Sequence, residues 1–346
     1  MPPLRRIAAI WNRELYEIGP PTPLVGHIAF GVIDRGTNVL QVRPATACPH
    51  NCIYCSVDAG PHSRTRATEY LVDVEYLVDW VEAVAKYKGE RVEALLDGVG
   101  EPLTHPRILD LIRMLSESPH VWRVALETHG GFLTRRLAEK LSDAGLDRLN
   151  LSLDTLDRDK ARLLSGVAWY DVGRILEAAR FLLEETPTDV VLTPVVVPGL
   201  NEEDMVDLIE WARVYGAGEK SGWPTGVLIQ KMEVHKYGRV PRRVKPWSWK
   251  RFYQWLRRLE EETGYRLIVS MEELGFHRTR QLDKPYSRGE EVILEIIGPG
   301  WHRGERLAVD REWSRVFALY CRRECRGSRV AARIVRDKDN IYVAVR

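Results

Sequence analysis

Between residue 39 and about residue 269 the chain alternates short apolar runs with segments of helical period, and this rhythm narrows the fold more than any other feature. Strands are expected at 39–43, 93–98, 123–128, 148–153, 190–197 and 226–232. Helices are expected at 70–88, 106–116, 134–144, 171–185 and 202–215, with 249–263 following the last strand. Six such units argue for an α/β fold of parallel strands joined by right-handed crossovers, either an open doubly wound sheet or an incomplete barrel. Folds of this kind keep their ligands at the carboxyl ends of the strands. The loops that follow the strands are therefore where chemistry should be sought.

The first of these loops, residues 47–60 (ACPHNCIYCSVDAG), holds Cys48, Cys52 and Cys55 in a C-x3-C-x2-C spacing, three of the five cysteines within eight residues. Thiolates this close suit one soft metal centre, and three rather than four leave a coordination position open. A zinc site would call for a fourth Cys or His at partner spacing; His50 lies between two of the cysteines, but no second C-x2-C or H-x3-H pair occurs. A disulfide with a spare thiol is poorer still, because no secretory signal accompanies it. The spacing, with Tyr54 just before the last cysteine, resembles the signature of the radical S-adenosylmethionine (radical SAM) superfamily. By that resemblance the three thiolates hold three irons of a [4Fe–4S] cluster, and the amino and carboxylate groups of SAM fill the site on the fourth. One-electron reduction of the sulfonium then yields a 5′-deoxyadenosyl radical. The resemblance also implies a partial (β/α)6 barrel.

The other strand ends are read against the same resemblance. Asp97-Gly98-Val99-Gly100-Glu101-Pro102 places two glycines where backbone must come close to a ligand, and a carboxylate able to hold an ammonium group. It resembles the superfamily's Gly-Gly-Glu segment, so Gly98, Gly100, Glu101 and Pro102 are expected to bind the methionine end of SAM, with Val99 replacing the family's first glycine. Polar side chains ending otherwise apolar parallel strands are poor core residues. Glu127, Thr128, Ser152 and Asp154 are accordingly expected at the SAM ribose and carboxylate, while His129 reads equally well as a loop residue. The fifth strand, VVLTPVVVPGLN, resembles the run that packs on adenine in the branch containing the molybdenum-cofactor GTP cyclase, which adds Thr193 and Val195. Asn201 reads as a helix cap with Glu203 in the first turn beyond it.

The flanks have a different character. Residues 1–38 read as a cap segment: a short helix at 4–18, a Pro-rich turn, then a hairpin about Asp34-Arg35-Gly36. From Lys231 to Arg258 there are ten Lys or Arg against one acid, with Tyr237, Trp247, Trp249 and Trp255 interleaved. Such a run is often a solvated face, but its loop half leaves the ligand end of the fold, where cations and aromatics suit a phosphate backbone and stacked bases. Lys231, His235, Lys236, Arg239, Arg242, Arg243 and Lys245 are the nucleic-acid contacts expected from it. Residues 270–286 read as a linker. Residues 287–346 carry five β-type runs and 13 Lys or Arg against 9 Asp or Glu, the pattern of a small all-β OB-like barrel resembling the TRAM module of tRNA-modifying enzymes. The domain division expected is thus 1–38, 39–269, 270–286 and 287–346.

Cys321 and Cys325 would be one turn apart on a helix, too far for a relaxed disulfide and near enough to share a metal; two inert thiols are the plainer alternative. No run approaches about 18 consecutive apolar residues, which excludes a membrane span and points to a reducing cytoplasm. Two enzyme classes follow from the resemblance: one that modifies RNA, above all tRNA, and one that acts on a peptide, protein side chain or small molecule. Either implies an external ferredoxin- or flavodoxin-like electron donor. Methylthiolation is disfavoured, since the TRAM-bearing methylthiotransferases have an additional amino-terminal cluster domain and no cysteine precedes Cys48.

Overall fold

The structure, a computed structural model, describes residues 4–321 and 328–346. In chain order its elements are β1 (Arg5–Ile10), β2 (Arg13–Ile18), β3 (Gly31–Asp34), β4 (Val39–Arg43), β5 (Thr68–Val72), α1 (Val74–Lys88), β6 (Val92–Leu96), α2 (Ile108–Glu117), β7 (Val121–Thr128) and α3 (Arg135–Asp143). There follow β8 (Arg148–Leu151), α4 (Arg158–Ser165), α5 (Val172–Glu185), β9 (Asp189–Leu192), β10 (Val195–Val196), α6 (Asp204–Tyr215), β11 (Gln230–Lys231) and α7 (Trp249–Thr263). The last are β12 (Glu291–Pro299), β13 (Glu305–Val309), β14 (Val316–Tyr320), β15 (Arg329–Arg336) and β16 (Val343–Val345). Two units divide the chain, one comprising 1–48, 62–122 and 278–346, the other 49–61 and 123–277. No helix among the described residues is long and apolar enough to cross a membrane.

In the first unit β3 and β4 form the expected hairpin about Asp34-Arg35-Gly36, and β4 runs parallel to β6. Residues 4–18 are not helical. Trp11 and Asn12 both take positive φ, which makes a two-residue turn, and β1 and β2 pair antiparallel across it. Arg5 with Glu17 and Arg6 with Glu14 pair across that ladder and add to it. The expected helix 70–88 is shorter at its start. Its first residues belong to β5, which lies parallel to β2, and Asp73 accepts the Tyr76 N–H to cap α1.

The C-terminal runs close into a five-stranded barrel in the order β12-β13-β14-β16-β15, packed around Leu294, Phe317, Leu319, Val330, Ile334 and Tyr342. Alternation makes this part legible: along β15 every second residue of the first six is buried. Cys321, half-buried after β14, is disulfide-bonded, neither the metal-sharing nor the inert thiol expected; the part of that expectation that falls on Cys325 lies outside the described residues.

In the second unit β7, β8 and β9 are parallel neighbours. The long fifth strand is broken at Pro194, which has no N–H for a ladder, and resumes as the two-residue β10 paired with β11. The sixth strand contracts to Gln230–Lys231. α4 was not anticipated; Asp157 caps it by accepting the Lys160 N–H, and Gly166 ends it in the left-handed conformation.

Candidate functional site

Cys48, Cys52 and Cys55 are not disulfide-bonded. The boundary between the two units falls just after Cys48.

In the first unit, the segment entering Cys48 and the glycine loop after β6 are tied together by backbone. Glu101 N–H donates to the Ala47 carbonyl at 2.9 Å. A Cβ on Gly100 would lie 2.3 Å from the Thr46 carbonyl oxygen and 2.5 Å from that of Ala47, so this glycine is required by the chain's own close approach. Glu101 is buried and its carboxylate accepts the Leu103 N–H at 3.1 Å, capping a 3-10 turn that Pro102 begins. Beneath both segments lies Arg66, donating to the Thr46 carbonyl at 2.6 Å, to the Val99 carbonyl, and to Glu69 at 3.2 Å. Glu69 also accepts from Arg13 at 3.0 Å and from the Thr46 hydroxyl at 2.6 Å. Two cations and a hydroxyl on one fully buried carboxylate satisfy it, which is what keeps such a charge tolerable away from water.

In the second unit, α4 positions the rest of the cysteine loop. Asn51 N–H donates to the Ser165 carbonyl at 2.9 Å and Ile53 N–H to that of Leu164 at 3.0 Å. The left-handed Gly166 lets Asn51 approach, since a Cβ there would lie 2.2 Å from its carbonyl oxygen. Tyr54 is buried and donates its hydroxyl to Asp154, whose other oxygen accepts the Val195 N–H at 2.8 Å. Asp154 is thus committed to joining the loop to β10, through contacts among side chains that sequence order keeps far apart. Thr128 likewise accepts the Gly130 N–H at 2.9 Å, and the Ser152 carbonyl stands 3.2 Å from His129 Nδ1. Glu127 is half-buried at the end of β7. His129 comes within 3.9 Å of the Cys52 sulfur through Nε2, and its ring lies 5.4 Å from that of His50.

Burial sets most of the local acidities. It pushes the Cys52 thiol and the Tyr54 phenol well up, and raises Asp154. Burial lowers His50 to about 3, with the charge of His129 adding to it, so His50 is a neutral imidazole. At Cys55 burial would raise the thiol, but the Ala59 N–H and the charge of Arg239 outweigh it and bring it down.

The donor set fits the group the sequence implies. Three cysteines outside any disulfide and within eight residues are soft iron ligands, one of them already held toward the thiolate. The buried Thr193 hydroxyl just past β9 has no hydrogen-bond partner among the described residues, which leaves it for a ligand. Val195 is half-buried beside the Cys52–Tyr54 cluster. Among the described residues no group of three or more His, Cys, Asp or Glu is already arranged around a metal-sized space.

The basic loop resolves into two classes of side chain. Lys231 is held by Glu233 at 3.0 Å and stands 4.9 Å over the Trp249 ring, and Arg239 is laid on the cysteine loop. Neither is the open cation expected of it. His235, Lys236, Arg242, Arg243 and Lys245 are exposed, as are Trp249 and Tyr253, whose rings stack 5.9 Å apart. Sequence reasoning missed Arg66, Glu69 and α4, none of which carries a spacing signal of its own.

The family model described as Radical SAM superfamily matches residues 42–212. The chain is 34% identical, over 97% of its length and 81% of the relative's, to an uncharacterized protein of Methanocaldococcus jannaschii. It is 31% identical to a probable GTP 3′,8-cyclase of Pyrococcus abyssi, covering 76% of each chain. Among solved structures it is similar to SuiB of Streptococcus suis bound to its precursor peptide (TM-score 0.49, 17% identity, 66% of this chain and 47% of that one). It is also similar to TYW1 with a lysine-pyruvate adduct (TM-score 0.46, 15% identity, 70% and 80%). By the family model and the 31% identity to a probable GTP 3′,8-cyclase covered over 76% of its length, the chain belongs to the radical SAM superfamily, enzymes that cleave SAM with an iron–sulfur cluster.

Proposed function

We propose that this enzyme modifies RNA, with tRNA as its foremost substrate. The observation that carries this reading is the stretch from His235 to Tyr253, where the exposed Lys236, Arg242, Arg243 and Lys245 precede the exposed, stacked pair Trp249–Tyr253. Cations that neutralise phosphates beside aromatic faces that accept bases are the two elements of single-stranded RNA recognition. The C-terminal barrel, residues 287–346, acts in this reading as a TRAM-like grip, and 39–269 as the catalytic domain between a cap at 1–38 and a linker at 270–286. When bound, the cluster and SAM supply one-electron reductive cleavage and a 5′-deoxyadenosyl radical that abstracts a substrate hydrogen.

The chain's own residues bind and orient. Cys48, Cys52 and Cys55 hold iron, Glu101 holds the SAM ammonium, the Thr193 hydroxyl takes a polar atom of the ligand, and Gly98, Gly100 and Pro102 shape the loop around it. Glu127, Thr128, Ser152 and Asp154 line the strand ends beside it, Asp154 acting through Tyr54 and Val195. The electron comes from an external ferredoxin- or flavodoxin-like donor in a reducing cytoplasm.

A second reading, a nucleotide substrate, is favoured by the 31% identity to a probable GTP 3′,8-cyclase. The test is 5′-deoxyadenosine release by the anaerobically loaded, reduced enzyme with bulk tRNA, with GTP, or with neither. Stimulation by tRNA, together with log K against log salt sloping about −0.7 to −0.9 per phosphate contacted, supports the first reading. Replacing Arg242 and Arg243 by Ala should then remove one or two contacts from that slope. Stimulation by GTP alone supports the second, and stimulation by neither moves the substrate to a peptide or other small molecule.

A further inference from the structure

The loop that carries the exposed cations is rooted on the cysteine loop. Arg239 N–H donates to the Cys55 carbonyl at 2.8 Å. Its guanidinium donates to the Ala59 carbonyl and pairs with Asp58 at 3.5 Å. Asp58 is 3% exposed and takes a positive φ of 49°, and the next residue, Ala59, sends its N–H to the Cys55 sulfur at 3.2 Å. Gly238 is needed for this seating, because a Cβ there would stand 2.9 Å from the Ser56 carbonyl oxygen. Val244 completes it by packing against the cluster of Cys52, Tyr54, Leu164, Val197 and Met232. Residues 238–244 therefore cover the turn that presents Cys55.

We infer that Arg239 is a positioning residue for the iron–sulfur cluster: it fixes the Cys55 turn and keeps a positive charge beside the Cys55 sulfur, and it is not a phosphate ligand. Reduction adds one negative charge to a cluster, and hydrogen bonds and net charge around its sulfurs set how readily that charge is accepted. The Arg239 side chain is 23% exposed, so its field is only partly screened. Removing the guanidinium takes a positive charge away from the turn that also holds the buried Asp58 carboxylate, and this disfavours reduction. The inference rests on the cluster that the family implies and is independent of the RNA reading.

The experiment is an EPR-monitored redox titration of the full chain, reconstituted anaerobically, as wild type, Arg239→Lys, Arg239→Gln and Asp58→Asn, with iron counted and tRNA affinity measured against salt in each. Arg239→Gln should load iron, shift the midpoint potential to more negative values and leave the tRNA salt slope unchanged, while Arg239→Lys stays near wild type. Asp58→Asn should shift the potential the opposite way, which keeps the test intact if Arg239→Gln fails to hold its cluster. A potential unmoved in the loaded Arg239→Gln or Asp58→Asn protein overturns the inference, as does a salt slope that drops by one contact in Arg239→Gln with the potential unchanged. Wild type that holds no cluster would instead remove the family reading, and wild type that binds no tRNA would remove only the RNA reading.

Discussion

The guanidinium of Arg66 lies 4.6 Å from the ring centroid of Trp301, in the turn between β12 and β13 of the C-terminal barrel. Backbone bonds hold the contact on both sides: the Trp301 carbonyl accepts the Ala67 N–H at 2.8 Å, and the Thr65 carbonyl accepts the Arg303 N–H at 3.0 Å. The same guanidinium bonds the Thr46 and Val99 carbonyls. The barrel thus seats the cation that joins the segment entering Cys48 to the glycine loop.

Trp301→Ala should therefore do more than weaken the barrel. Losing a 3% exposed Trp should cost about 3–5 kcal/mol in urea denaturation. SAM affinity should fall with it, because Arg66 loses the ring that holds it over the two loops. Stability lost with SAM affinity unchanged, measured on protein still folded, would show that the barrel does not support the cofactor loops.

Gly100→Ala places a methyl group 2.3 Å from the Thr46 carbonyl oxygen, and Gly98→Ala places one 3.3 Å from that of Ala45. The first should cost about 1–3 kcal/mol and weaken SAM binding, the second should cost less. Calorimetric SAM titration of the two variants checks the order; equal affinities would contradict it.

Loaded anaerobically, the protein should hold about four irons per chain, one [4Fe–4S] cluster. Replacing Cys48, Cys52 and Cys55 together by Ala should reduce iron to background. About eight irons per chain, or iron kept by the triple variant, would refute the assignment.

His105 gives the first unit a pH dependence. Its Nε2 stands 2.9 Å from the Val72 carbonyl and its Nδ1 accepts the Arg107 N–H at 3.1 Å, so the neutral ring is fully used. Burial lowers its pKa first; Arg107 adds to this, while Val72, Asp73 and Asp110 oppose it. The unfolded chain then binds more protons below a pH of about 6.5, and stability falls as pH drops through that value toward the folded pKa. Urea midpoints taken from about pH 7.5 to about 5.5 should decline in wild type and flatten in His105→Gln. Parallel declines in both would locate the titrating group elsewhere.

Much of the core was legible because its signals are local. The period of hydrophobicity marked five of the helices within a few residues and all five strands of the C-terminal barrel. Local pattern also misled where a two-residue turn decided the outcome: Trp11 and Asn12 made a hairpin of a segment expected to be a short helix. Pro194 divided a strand that its apolar residues alone would have continued.

What the sequence determined by itself is the chemistry, since three thiols at C-x3-C-x2-C after a strand demand a soft metal whatever surrounds them. What only the tertiary structure decided is which charged residues serve that loop. Arg66, Glu69 and Arg239 sit in sequence like any surface cation or acid. Their roles follow from buried partners distant in the chain, Thr46 and Val99 for Arg66, Arg13 for Glu69 and Asp58 for Arg239, where an unpaired charge is too costly to persist and each is therefore matched. Arg239 is the clearest case, with neighbours that suggest a phosphate contact and a fold that commits it to Cys55.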